Sequence, residues 1–86
     1  TERGYYASGQ LAWEYAYEDG KLARGQWWFE PGQLRWEDAY EAGELVRGRS
    51  YYASGQLERE YTYEAGKVVR SQWWDEAGHL VQDKTF

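Results

Sequence analysis

From Leu11 to Glu18 the chain reads Leu-Ala-Trp-Glu-Tyr-Ala-Tyr-Glu, and related alternation of large apolar with small or charged side chains returns around Trp36–Glu41 and Tyr61–Glu64. A period of two sends successive side chains to opposite faces of an extended strand, whereas a helix needs apolar positions recurring at three and four. Each alternating run is bounded by glycine: Gly9, Gly20, Gly32, Gly43, Gly55, Gly66 and Gly78, with gaps alternating 11 and 12. Glycine at that pace supplies the positive φ of tight hairpin turns. The pattern predicts about eight short strands in one antiparallel meander, each paired with its neighbour in sequence, and disfavours helix throughout. Asp19-Gly20 suits a type I′ turn that sets Glu18 opposite Lys21 and Tyr17 opposite Leu22. Pro31 cannot adopt positive φ, so Pro31-Gly32 is expected to form a type II turn or a bulged variant.

The runs are also copies of one another. YYASGQL occurs at Tyr5–Leu11 and again at Tyr51–Leu57, with WFEPGQL at Trp28–Leu34 and WDEAGHL at Trp74–Leu80, all spaced by 23 residues. Between them YEDGKL, YEAGEL and YEAGKV begin at Tyr17, Tyr40 and Tyr63, again 23 apart. The chain therefore reads as one repeat domain over 1–86, with repeats at about 5–27, 28–50 and 51–73 and a partial one at 74–86. An odd period matters, because regular pairing with two-residue loops would turn the apolar face over at every repeat. One β-bulge per repeat would restore it, and the matching positions Gly25, Gly48 and Ser71 are the expected sites.

With that bulge, one face collects Tyr6, Trp13, Tyr15, Tyr17, Trp27, Phe29, Trp36, Tyr40, Tyr52, Tyr61, Tyr63 and Trp73, together with Leu11, Leu22, Leu34, Leu45, Leu57, Val68 and Leu80. The other gathers Glu14, Glu37, Glu60 and their acidic neighbours, Lys21, Lys67 and Arg35, plus a column of Tyr5, Trp28, Tyr51 and Trp74. Arg24, Arg47 and Arg70 are expected on the aromatic face, opposite Tyr15, Asp38 and Tyr61, forming two cation–π contacts and one ion pair.

Composition changes the picture in one respect. Six Trp, nine Tyr and two Phe face only ten Leu and Val, with no Ile or Met, so aromatic rings must supply the apolar surface. There is no Cys for a disulfide or a thiolate metal site. A net charge of −5 argues against nucleic acid and makes an anionic membrane the least favoured surface. No apolar run is long enough to span a bilayer as a helix. The missing methionine, including at position 1, points to a processed product, an excerpt or a designed sequence, and nothing in the chain specifies a compartment.

Catalytic readings find little material. His79, the single histidine, occupies the turn position held elsewhere by Gln10, Gln33 and Gln56. Ser8 and Ser54 precede turn glycines, with no base fixed beside them. Glu14, Glu37 and Glu60 recur two strands apart, roughly 9 to 10 Å, a spacing an inverting glycosidase uses, but a solvated acidic face explains them better. The expectation is a protein that is not an enzyme and that takes no cofactor and no metal.

YYASGQL, YEDGKL and the pairs Arg24-Gly25 and Arg47-Gly48 resemble MORN repeats, most closely the bacterial variant grouped as YwqK-like antitoxins. The resemblance covers nearly the whole chain, with departures at Arg59, Ser71 and Asp75. It implies an all-β, single-layer, twisted antiparallel β-meander that serves as a binding surface. One layer cannot enclose a core, so part of the aromatic face is expected to meet a protein partner, such as a toxin, in an antitoxin, immunity or scaffold role. The residues expected to bind are Tyr6, Trp13, Tyr15, Tyr17, Trp27, Phe29, Trp36, Tyr40, Tyr52, Tyr61, Tyr63 and Trp73. Self-association through edge strands is a second route. A carbohydrate or cell-wall module, and a structural or designed repeat without ligand, are the competing readings.

Overall fold

The computed structural model describes residues 1–86. The chain folds into eight strands: β1 Glu2–Tyr5, β2 Leu11–Glu18, β3 Lys21–Trp28, β4 Leu34–Glu41, β5 Glu44–Tyr51, β6 Leu57–Glu64, β7 Lys67–Trp74 and β8 Leu80–Thr85. They form one antiparallel sheet in sequence order, as the alternation predicts. No second layer covers it. The molecule measures 37 × 33 × 13 Å, and its radius of gyration of 14.1 Å exceeds the roughly 12 Å of a globular chain this long. No apolar side chain is fully buried. The sheet is held by main-chain pairing, with 46 of 55 backbone hydrogen bonds inside its ladders, and by rings packed side by side along it.

Two kinds of hairpin alternate. The two-residue turns Asp19-Gly20, Ala42-Gly43 and Ala65-Gly66 have positive φ at both positions, 51° and 77° in the first, which is the type I′ geometry. Glu18 faces Lys21 and Tyr17 faces Leu22, as expected. The other hairpins have three-residue loops, such as Glu30-Pro31-Gly32. There the Gly32 N–H donates to the Phe29 carbonyl and the Phe29 N–H to the Gln33 carbonyl, both within 2.9 Å. Pro31 sits in the turn proper, and Gly32, at φ 109°, takes the left-handed bulge position. The bulged variant, rather than the type II turn, is the one formed.

The odd period is resolved differently from the expectation. The three-residue loop already supplies the odd residue, and two further bulges per repeat cancel each other. Tyr17 faces Leu22 but Ala16 faces Arg24, leaving Ala23 as the extra residue; Val46 and Val69 are its counterparts. In the other hairpins Ala12, Arg35, Glu58 and Val81 are passed over in the same way. Gly25, Gly48 and Ser71 are regular ladder residues, not bulges.

The shifted bulges reassign two columns. Arg24, Arg47 and Arg70 lie beyond the extra residue, so they pair with Ala16, Ala39 and Thr62 and belong to the acidic face. The expected cation–π contacts with Tyr15 and Tyr61 and the ion pair with Asp38 are therefore not made; Arg70 instead grips Asp83 through Nε and Nη2, at 3.1 and 2.8 Å. Leu11, Leu34, Leu57 and Leu80 pair with Tyr5, Trp28, Tyr51 and Trp74, so they leave the aromatic face for that column.

Candidate functional site

Ladder pairing and strand alternation bring all the expected binding residues to one face, in rows that run across the strands. One row is Trp13, Trp27, Trp36, Ser50, Arg59 and Trp73. The next is Tyr15, Gly25, Asp38, Gly48, Tyr61 and Ser71, and a third carries Tyr17, Tyr40 and Tyr63 with Leu22, Leu45 and Val68 opposite them. Tyr6, Phe29 and Tyr52 open the three-residue loops at one margin. Rings interlock between the first two rows: Trp13 to Tyr15 at 5.3 Å between centroids, Tyr15 edge-on to Trp27 at 5.4 Å, and Trp36 to Tyr61 at 6.3 Å. Such geometries add about 0.5 to 1.5 kcal/mol each beyond area burial.

The glycines of the middle row make this packing possible. A methyl group on Gly25 would stand 3.0 Å from Trp27 and 3.1 Å from Tyr15, and one on Gly48 would stand 3.0 Å from both Trp36 and Asp38. Gly25 and Gly48 are the only buried residues in the chain, because rings lie across their backbone. Gly4 does the same for Trp13, whose indole nitrogen lies 2.1 Å from where a Cβ would be.

Where the later repeats depart from the aromatic pattern, the replacements have structural partners. Arg59, at the position of Trp13 and Trp36, lays its guanidinium 5.5 Å from the Trp73 ring centroid. Asp75, at the position of Tyr6, Phe29 and Tyr52, accepts the N–H groups of Ala77 and His79 at 3.0 Å, and these bonds hold its carboxyl below the usual range. His79 is an exposed turn residue whose Nδ1 lies 3.5 Å from Asp75.

Asp38 is the residue on this face that sequence reasoning treated only as an ion-pair partner. It occupies the row position of Tyr15 and Tyr61, and its Oδ1 accepts the Trp36 Nε1–H at 2.6 Å. Burial pushes its carboxyl above the ordinary Asp range, against the opposing effect of the Trp36 bond. The Tyr40 and Tyr63 hydroxyls are held above their usual range first by burial and then by the Asp38 charge. The signal in the sequence was an acid breaking a tyrosine column at a fixed repeat position.

On the opposite face, side-chain donors reach several of the acids. Arg3 donates to Glu14 at 2.5 Å, Gln26 to Glu37 at 2.9 Å, Arg49 to Glu60, and Arg70 to Asp83. The Glu14, Glu37 and Glu60 column is thus taken up by donors on adjacent strands. A shallow depression of about 400 Å³ between Ala16, Arg24, Ala39 and Arg47 is also lined by Glu18 and Glu37, which offset the two guanidiniums.

Comparison with known proteins agrees with this geometry. No curated protein matches the chain by sequence. Among solved structures, the sheet superposes on part of the crystal structure of a GtfA/B complex bound to UDP and GlcNAc, with a TM-score of 0.53 and 13% identity. The match takes in 93% of this chain but spans only 21% of that one, and at such identity it speaks for the fold alone. The family model of the MORN repeat variant matches residues 46–65, which run from the bulge of β5 to the turn after β6, so that this segment is similar to a MORN repeat.

Proposed function

We propose that the chain is a non-catalytic protein-binding module that recognises its partner through the aromatic face, in an antitoxin, immunity or scaffold setting. The observation that carries this reading is the uncovered face itself. A sheet 13 Å thick presents rows of Trp and Tyr with no layer over them, and exposed apolar surface of that kind marks interaction sites. Trp and Tyr give large contact areas at low rotamer cost, which is why they dominate binding hot spots. A MORN-type repeat fits a module of this kind. The net charge of −5 would favour encounter with a basic partner. β1 and β8, with one free edge each, offer a second route of association by strand addition.

The test is comparative capture. Immobilised protein and a Trp13→Ala/Trp36→Ala variant, shown by circular dichroism to keep the sheet, are exposed to the same lysate and the retained proteins identified. A partner held by the parent chain and lost at least tenfold from the variant, about 1.4 kcal/mol, is the expected result. Identical retention by both would remove the aromatic face from the proposal, and retention of glycans with no protein would replace it by carbohydrate binding.

A further inference from the structure

We infer that the aromatic face carries a built receptor for an arginine side chain, centred on Asp38, through which a basic segment of a partner protein would be anchored. This rests on the aromatic-face reading above and gives it a chemistry. Asp38 stands between two glycines in its row, Gly25 and Gly48, with the Tyr15 and Trp27 rings lying over Gly25 and the Trp36 ring over Gly48. Trp36 and Tyr40 flank it along its own strand, and the rings of Tyr15 and Tyr61 stand two strands away on either side. The result is a half-buried carboxylate set among aromatic residues on the open face of the sheet.

The carboxylate lacks a cation: Asp38 is half-buried, and no Lys, Arg or His lies within ion-pair distance of it, whereas Glu14, Glu60, Asp83 and Asp75 each meet a basic side chain. Its single hydrogen bond uses Oδ1, leaving Oδ2 unbonded within the chain and not sealed from solvent. An acid held among rings without a counter-charge is costly unless something supplies one. Tyr15, at the same position one repeat earlier, shows that a ring fits there.

The same face shows which cation suits it. At Arg59 the chain lays its own guanidinium over Trp73 and within 3.5 Å of the Tyr61 hydroxyl. A guanidinium is planar and weakly hydrated, so it stacks on rings while its N–H groups reach a carboxylate; an ammonium is compact and keeps its water. Trp36 and Tyr40 supply a ring and a hydroxyl of the same kinds, and Asp38 adds the carboxylate that the Arg59 site lacks.

The experiment uses three capped tripeptides, glycyl-arginyl-glycine, glycyl-lysyl-glycine and glycyl-citrullyl-glycine, titrated against the whole chain while the Trp36 indole N–H resonance is followed. Citrulline keeps the shape of arginine without its charge. The arginine peptide should shift that resonance saturably and bind at least tenfold more tightly than citrulline, with lysine between them. Asp38→Asn, which keeps an acceptor for Trp36, should weaken arginine binding about tenfold, about 1.4 kcal/mol, while Glu30→Gln, equal in charge change but on a loop, should leave it unchanged. In the parent chain, saturation with the arginine peptide should also lower the Asp38 titration midpoint, a readout that needs no variant. Equal binding of citrulline, lysine binding as tight as arginine, no effect of Asp38→Asn, or an unmoved Asp38 midpoint would each overturn the assignment. Because no natural partner is required, failure here is separable from failure of the capture experiment.

Discussion

Ala42 and Ala65 hold φ near 52°, a left-handed conformation that Asp19 adopts at the equivalent place in the first repeat. A Cβ in that region costs roughly 1 kcal/mol or more, a penalty that Asn and Asp reduce by local hydrogen bonding. Ala42→Asn and Ala65→Asn should therefore each stabilise the fold by about 0.5 to 1 kcal/mol, and the pair should raise Tm by several degrees; unchanged thermal melts would mean that the turns tolerate alanine without strain. These turns were legible in the sequence, because Gly at fixed pace and Asp19-Gly20 specify positive φ directly. Gly25 and Gly48 were not read correctly. Nothing in a sequence distinguishes a glycine that supplies a bulge from one that makes room for a ring crossing from the next strand. Asp38 was visible only as a break in a column, since its meaning depends on which strands lie beside it.

At the level of the hairpin, the three-residue loops do more than reverse the chain. The Tyr6 hydroxyl donates to the Trp28 carbonyl at 2.5 Å and the Tyr52 hydroxyl to the Trp74 carbonyl at 2.8 Å, each tying one repeat to the start of the next. The intervening position is Phe29, which has no hydroxyl to offer Tyr51. Phe29→Tyr should complete the series and add about 0.5 to 1.5 kcal/mol, while Tyr52→Phe should remove a similar amount. Chemical denaturation of both variants checks this, and a Tyr52→Phe chain as stable as the parent would show that the tie contributes nothing. The bulges beside these loops explain the misplaced arginines. Ala12, Arg35, Glu58 and Val81 share no residue type, so the sequence carries no local mark of the extra residue. Parity gave no warning either, because paired bulges cancel and leave the period of 23 compatible with a conserved face.

Across the whole molecule every strand pairs only with its neighbours in sequence. Stability in such a chain is a sum of local and nearest-neighbour terms rather than the property of one core. The sheet should then survive an internal deletion that would destroy a globular domain. Removing residues 28–50 joins Trp27 to Tyr51, where Tyr51-Tyr52 replaces Trp28-Phe29 in the same register. Six strands should remain, with the ladder intact, a cooperative unfolding transition, and a denaturant m-value lower by about a quarter in proportion to the lost surface. Circular dichroism and urea titration test this, and an unfolded product would show that the middle repeat does more than link its neighbours. The same deletion takes away Asp38, Trp36 and Gly48 while leaving Trp13, Tyr15, Tyr61 and Trp73 in place. A shortened chain that keeps its fold but no longer distinguishes the arginine peptide from the citrulline peptide would locate that recognition in the second repeat, apart from the general capacity of the aromatic face to bind.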